Sequence, residues 1–320
     1  MDKVIVTPRS LSQGGHPLLD RITAAGYEVV FPSPGAQPDE AQLAAVVGEA
    51  VGWLAGVEKI GAALLARAER LKVISRNGTG TDAIDLAAAQ AKGIVIRRAE
   101  GANARGVAEL AFGHVLAAAR GIAAADAELK AGRWTRQKGF ELEGRTLGLA
   151  GCGRIGKLVA RFALAFEMRV LAHDPYPDPA FQPGPGFTYA PLPDVLRAAQ
   201  VLSLHCPPPP DGRPLLGAAA LATLPKGAVV VNTARQGLVD EAAMIEALRS
   251  GRVAAYTLDA FDQEPPADFT LVRTRGVLAT PHVGGFTDAS IDRATAVAVD
   301  NLLETLADAS SPRSRHGGGR

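Results

Sequence analysis

Thr146-Leu147-Gly148-Leu149-Ala150-Gly151-Cys152-Gly153-Arg154-Ile155-Gly156 is the stretch that decides the fold. Five residues of strand character run straight into a glycine-spaced loop, and the apolar periodicity of Arg154 to Phe166 reads as the helix that follows. In that context each glycine has a physical task. Gly151 permits the tight turn, Gly153 lets backbone approach a pyrophosphate, and Gly156 lets helix pack closely on strand. Arg154 and Ile155 complete the loop, and the N–H groups and dipole of the helix start hold the anion. Eighteen residues beyond Gly156 (174 − 156), at the end of the next strand, stands Asp174. A carboxylate there accepts ribose hydroxyls and repels a 2′-phosphate, which predicts NAD over NADP. Methyltransferases also carry a Gly-rich loop followed by an acid, so hydride chemistry has to be argued from the rest of the chain.

On the carboxyl side of this stretch the alternation of short apolar runs and helical segments continues, with strands expected at 170–173, 201–205, 228–232, 255–258 and 277–280. That makes a doubly wound unit of about six strands. Before it, runs near 4–7, 28–31, 53–54, 71–75 and 93–96 alternate with Ala-rich helices and predict a second open sheet of about five strands. Asn103 to Leu129 reads as one long helix leaving that first series. Ser290 to Ala307 reads as a last helix that packs back on it. The fold class is therefore α/β, two Rossmann-like doubly wound parallel-sheet domains with the first discontinuous. The expected boundaries are 1–100 plus 288–309 for a substrate-binding domain and 101–287 for an NAD-binding domain. Residues 310–320 are expected to form a disordered tail, since Ser, Pro, Arg and Gly there bury too little surface to offset ordering entropy.

With 320 residues and roughly 150 per domain, two domains also suit the length, and 47% hydrophobic residues suffice for two cores. Lys plus Arg number 34 and Asp plus Glu 33, so a net charge of +1 gives no field for nucleic acid or an anionic membrane. The segments lack a spanning run or a signal-peptide pattern, and a cytoplasmic protein is expected. Two cysteines, Cys152 and Cys206, make neither a disulfide scaffold nor a metal site. His205, beside Cys206, reads as a structural or cofactor-edge residue and not a metal ligand.

Three charged residues fall just beyond strands of the second series, at the edge where open α/β sheets bind ligands: Arg235, Glu264 and His282. Oxidation of a 2-hydroxy acid needs a fixed cation for the carboxylate, a proton-transfer group, and an anion to hold that group charged. Arginine, histidine and glutamate supply these in turn.

Together these motifs resemble the D-isomer-specific 2-hydroxyacid dehydrogenase family, in its phosphoglycerate dehydrogenase-like branch, over about residues 3 to 305. The resemblance is carried by Gly78-Thr79-Gly80-Thr81-Asp82-Ala83-Ile84-Asp85, Val107-Ala108-Glu109, the Gly151–Gly156 loop, Asn232-Thr233-Ala234-Arg235, Leu258-Asp259 with Glu264-Pro265, and Thr280-Pro281-His282. Arg235, Glu264 and His282 also keep the family order, spaced by 29 (264 − 235) and 18 (282 − 264) residues. The resemblance implies that Arg235 clamps the carboxylate and polarises the C–O group, that His282 exchanges the hydroxyl proton, and that Glu264 orients His282. Asp259, Thr233 and Ala234, with His282 itself, are expected to face the nicotinamide. Asn77 and the backbone of Gly78, Thr79 and Gly80 are expected to bind the substrate from the first domain. Gln236 stands where the family usually has glycine.

The branch further implies an anionic second group on the substrate, phosphate, phosphonate or sulfonate, held by Arg76 and Arg136. Ala55 replaces a further arginine, which weakens that site, and glyoxylate or hydroxypyruvate reduction is the alternative. The long helix and the arm near Trp134 imply a homodimer. Rivals of other kinds are an NAD-sensing corepressor without turnover and a dehydrogenase of formate or phosphite.

Overall fold

A computed structural model describes residues 1–310; of the tail expected at 310–320, Ser310 ends the last helix and the rest lies outside the described residues. The chain divides into two compact units, Met1–Asn103 together with the chain from Asp288 on, and Ala104–Thr287.

In the first unit the strands are β1 (Asp2–Val6), β2 (Tyr27–Val30), β3 (Ala50–Ala55), β4 (Val73–Arg76) and β5 (Val95–Arg98). All neighbours pair in parallel in the order β2-β1-β3-β4-β5. This is the flavodoxin-like variant of the doubly wound sheet. Side chains alternate between two cores as a strand requires. Val4, Val6, Leu54 and Val73 face one cluster, and Ile5, Trp53 and Ile74 the other. The helix Asp288–Ser310 covers the first face with Ala294, Ala298, Leu302 and Leu306. Gly52 sets how closely it comes, because a Cβ there would meet Leu302 Cδ1 at 3.0 Å and Leu306 Cδ1 at 3.2 Å. The Ser75 hydroxyl donates to the Ala298 carbonyl at 2.7 Å and fixes the register of helix on sheet.

The second unit carries β6 (Thr146–Ala150), β7 (Arg169–His173), β8 (Phe187–Tyr189), β9 (Val201–Leu204), β10 (Ala228–Asn232), β11 (Val253–Leu258) and β12 (Val277–Ala279). They form one parallel sheet in the order β12-β11-β10-β9-β6-β7-β8. Seven strands replace the six expected. The addition is β8, three residues between Gly186 and Pro191 that the Pro- and Gly-rich surroundings disguise as loop. Edge-on stacking of Phe187 between Phe181 and Tyr189 anchors it.

The single long helix expected at 103–129 is corrected to two, Ala104–Arg120 and Ile122–Lys130, bent by 61°. The cause is Gly121, whose φ of 60° and ψ of 33° place it in the left-handed region that ends helices. Phe140 N–H then caps the first helix on the Ala119 carbonyl at 3.0 Å. Among the described residues no single helix is long and apolar enough to cross a membrane, and only this bent pair passes on length and composition. Its first member buries Ala108, Ala111, Phe112 and Val115 in the second unit's core.

Candidate active site

In a parallel sheet every strand delivers its following residue to the same edge, and the second unit uses this at six positions. Beyond β6 lies the glycine loop. A Cβ at Gly151, where φ is 93°, would sit 2.5 Å from the His205 carbonyl oxygen, and one at Gly156 would sit 2.4 Å from the Gly151 carbonyl oxygen. At Gly153 a Cβ would meet nothing within 4 Å. The three glycines thus divide two and one: Gly151 and Gly156 are pressed against backbone, and Gly153 faces open space. Gly153 starts the helix Arg154–Ala165 without any side-chain cap, the kind of helix start at which an anion binds.

Beyond β7, Asp174 is held at the lip of this loop, accepting from Cys152 N–H at 2.8 Å and Tyr176 N–H at 2.9 Å. A hollow of about 280 Å³ adjoins it, lined among others by His173, Asp174, Pro177 and Tyr189. A larger one, about 440 Å³, opens at Thr146, Arg169 and Gln200, at the opposite ends of these strands and away from every predicted residue. Beyond β9, His205 bonds Ser203 through Nε2 at 2.8 Å, while its buried Nδ1 has no partner among the described residues. Desolvation pushes its pKa down to about 4. The buried Thr233 hydroxyl beyond β10 also lacks a partner there. An uncapped helix start, open space over Gly153, a carboxylate at the lip and two orphaned polar groups fit a dinucleotide.

Asn232, at the end of β10, shapes the next turn by accepting from Ala234 N–H at 3.1 Å and donating to the Arg235 carbonyl at 2.8 Å. Arg235 follows in extended conformation, its Nη1 donating to the Ala234 carbonyl at 2.7 Å. Gln236 turns out to be a bridge. Its Oε1 accepts from Asp262 N–H at 3.0 Å and its Nε2 donates to Glu241 at 3.1 Å, so the Arg235 turn is tied to the loop that carries Glu264. Nothing in the sequence signalled this link.

Glu264 Oε1 accepts from Phe261 N–H at 3.1 Å and lies 2.7 Å from His282 Nδ1. With Nδ1 so engaged, Nε2 is the ring nitrogen left for chemistry. His282 itself has φ of 52°, unusual for a side chain of this size. What holds it there is Asp259, 2% exposed, whose carboxylate accepts from Thr280 Oγ1, Val283 N–H at 2.9 Å and Gly284 N–H at 2.8 Å. Asp259 was expected at the nicotinamide, and the structure shows it as the clamp on the His282 turn. His114, buried behind Thr280 at 3.3 Å, has its pKa lowered by desolvation against the opposing pull of Asp259.

The sheet thus brings Arg235, Glu264 and His282 to the ends of β10, β11 and β12, which are neighbours in the order. Arg76, Asn77, Gly78, Thr79 and Gly80 lie in the first unit, at the end of β4. There Asn77 N–H donates to the Ala55 carbonyl at 2.9 Å, Arg76 Nη1 reaches the same carbonyl at 3.4 Å, and Asn77 Oδ1 is buried with no partner among the described residues. Arg136 is exposed in the irregular segment after the bent helix. No group of three or more His, Cys, Asp or Glu suited to a metal occurs among the described residues.

A doubly wound parallel sheet with a dinucleotide loop and a carboxylate-backed histidine on one edge is the architecture of a nicotinamide-dependent dehydrogenase. Residues 112–284 match the model described as D-isomer specific 2-hydroxyacid dehydrogenase, NAD binding domain. The D-3-phosphoglycerate dehydrogenase of Methanocaldococcus jannaschii is 40% identical over 246 residues, 76% of this chain and 47% of that protein. The hydroxypyruvate reductase of Thermotoga maritima is 40% identical over 253 residues, 78% of this chain and 82% of that one. A crystal structure of a Thermus thermophilus protein superposes with a TM-score of 0.85 at 37% identity, covering 96% of this chain and 97% of that one. The chain belongs to the D-isomer specific 2-hydroxyacid dehydrogenases, and its second unit contains that family's NAD-binding domain. It spans about half the length of the phosphoglycerate dehydrogenases it matches.

Proposed function

We propose that this protein interconverts a D-2-hydroxy acid and its 2-keto acid with NAD. The observation that carries the reading is the 2.7 Å contact of His282 Nδ1 with Glu264, on the same sheet edge as the glycine loop. The loop N–H groups take the pyrophosphate and Asp174 the ribose hydroxyls, selecting against a 2′-phosphate. When bound, the nicotinamide accepts or supplies the hydride. Arg235 pairs with the substrate carboxylate and polarises its C–O bond. His282 Nε2 takes the hydroxyl proton on oxidation and returns it on reduction, and Glu264 steadies the imidazolium through Nδ1.

The substrate we favour is a small 2-keto acid of the hydroxypyruvate or glyoxylate type. Arg136 is exposed and Arg76 already lies against the Ala55 carbonyl, which leaves little support for a second anionic group, and the hydroxypyruvate reductase is as similar to this chain, at 40% identity, as the phosphoglycerate dehydrogenase. A 3-phosphoglycerate-like acid is the other reading, supported by the position of Arg76 beside Gly78. The helix Ile122–Lys130 buries none of its residues and leaves Ile122 and Leu129 exposed, with Trp134 83% exposed just beyond, which supports a homodimer built on this arm. Absorbance of reduced nicotinamide should fall when the protein meets NADH and these keto acids. Silence across D- and L-acids, with NAD bound, would sink the proposal.

A further inference from the structure

In a sheet of order β2-β1-β3-β4-β5 the chain reverses direction between β1 and β3, and ligands of open α/β sheets bind at the carboxyl end of that switch point. The residues there are Thr7, just beyond β1, and Ala55-Gly56-Val57-Glu58, at and just beyond the end of β3. Glu58 is 2% exposed although nothing in the sequence marks it as a core residue. Its Oε1 accepts from the Thr7 hydroxyl and from Gly56 N–H at 3.0 Å, and Thr7 Oγ1 in turn accepts from Trp53 Nε1 at 3.2 Å. The Thr7 hydroxyl also lies 3.3 Å from the Leu54 carbonyl, and Gly56 N–H is shared with Thr7 Oγ1 at 3.0 Å, so Glu58 is tied into the ends of both strands. Gly56 makes the arrangement possible, since a Cβ there would come within 2.8 Å of Glu58 Oε2.

The loop that carries Glu58 adjoins the proposed substrate loop, because Asn77 N–H is bonded to the carbonyl of Ala55. Asn77 adds a buried acceptor, Oδ1, without a donor among the described residues. Two acceptors at one sheet edge favour a substrate tail that donates a hydrogen bond and, with Arg76 Nη1 already held at 3.4 Å from the Ala55 carbonyl, oppose one that is itself an anion.

Building on the dehydrogenase reading above, we propose that Glu58 is a specificity-determining residue. It restricts the substrate to 2-hydroxy or 2-keto acids whose only anion is the reacting carboxylate, and excludes a phosphate, phosphonate or sulfonate tail. The test compares kcat/KM for hydroxypyruvate and for its 3-phosphorylated counterpart, with saturating NADH, in the wild type and in Glu58→Gln. The wild type should prefer the unphosphorylated acid. Glu58→Gln should move the ratio at least tenfold toward the phosphorylated acid, through KM. A wild type that prefers the phosphorylated acid overturns the proposal, as does a folded Glu58→Gln with an unmoved ratio, the result of a purely structural role. If Glu58→Gln fails to fold, Glu58→Thr is read in the same way, and the wild-type preference decides by itself. Turnover with an unmoved ratio removes this inference alone. Silence of the wild type with every acid removes the dehydrogenase reading and this inference together.

Discussion

His282 shows how much geometry one residue can carry. It sits at positive φ, is 2.7 Å from Glu264 through Nδ1, and rides on a turn whose N–H groups end on Asp259. His282→Gln keeps a polar side chain and removes the proton acceptor, so kcat should fall by about 10² to 10⁴, the usual share of general acid–base catalysis. NAD affinity, read by fluorescence titration, should hold within a few-fold. A kcat within threefold of wild type would take the proton-transfer role from this residue. A second residue gives a pH prediction. His205 has its pKa lowered by desolvation from 6.5 to about 4, so the unfolded chain takes up a proton first as pH falls. The stability it contributes is present above pH 6.5 and is lost on the way down to about 4, with an upper bound of about 3 kcal/mol at 1.36 kcal/mol per unit. Denaturant melts of wild type and His205→Gln at pH 7 and pH 4.5 should show the smaller acid loss in the variant. Equal losses would mean that His205 is not desolvated as the structure has it.

The glycine loop was legible in the sequence because its spacing encodes contacts that any such loop must make. Close approach to the His205 carbonyl at Gly151 and to the loop's own carbonyl at Gly156 are the same requirements read from the other side. The triad was legible because each member follows a strand of one parallel sheet. Asp259 was legible as a site residue and not as the clamp it is, since three donors from 280–284 reach it only once β11 and β12 are paired. Gln236, β8 and the break at Gly121 escaped for a related reason. Each depends on what lies across the chain, an amide at Asp262, an aromatic stack, or a carbonyl capped from residue 140. The glycines allow a paired test. Gly156→Ala puts a Cβ 2.4 Å from backbone and should lower thermal stability along with NAD binding. Gly153→Ala meets no protein atom within 4 Å, so it should melt near the wild type and still bind NAD at least tenfold more weakly. Loss of stability in both, or of affinity in neither, would contradict the division of tasks.

On the scale of the whole molecule, the first unit is made of two stretches of chain separated by the entire second unit. The second stretch supplies the cover for one face of the first sheet. Ala294, Ala298, Leu302 and Leu306 pack on Val4, Val6, Leu54 and Val73, which are 0% exposed. Asn301 Nδ2 and Arg293 Nε add hydrogen bonds to the carbonyls of Arg98 and Ala102, at 3.1 Å and 2.9 Å. The second unit needs none of this, because both of its clusters are drawn wholly from residues within 104–287. A chain ending at Thr287 should therefore lose the first sheet and keep the second. Burying an aliphatic side chain is worth about 1.5 to 3 kcal/mol, so uncovering four such sheet residues costs about 6 to 12 kcal/mol, of the order of the whole net stability of a small domain, about 5 to 15 kcal/mol. Limited proteolysis should clear residues 1–103 while a fragment near 104–287 persists and still binds NAD. A shortened chain in which both sheets resist protease would show that the helix from Asp288 is a passenger on the first unit and not one of its layers.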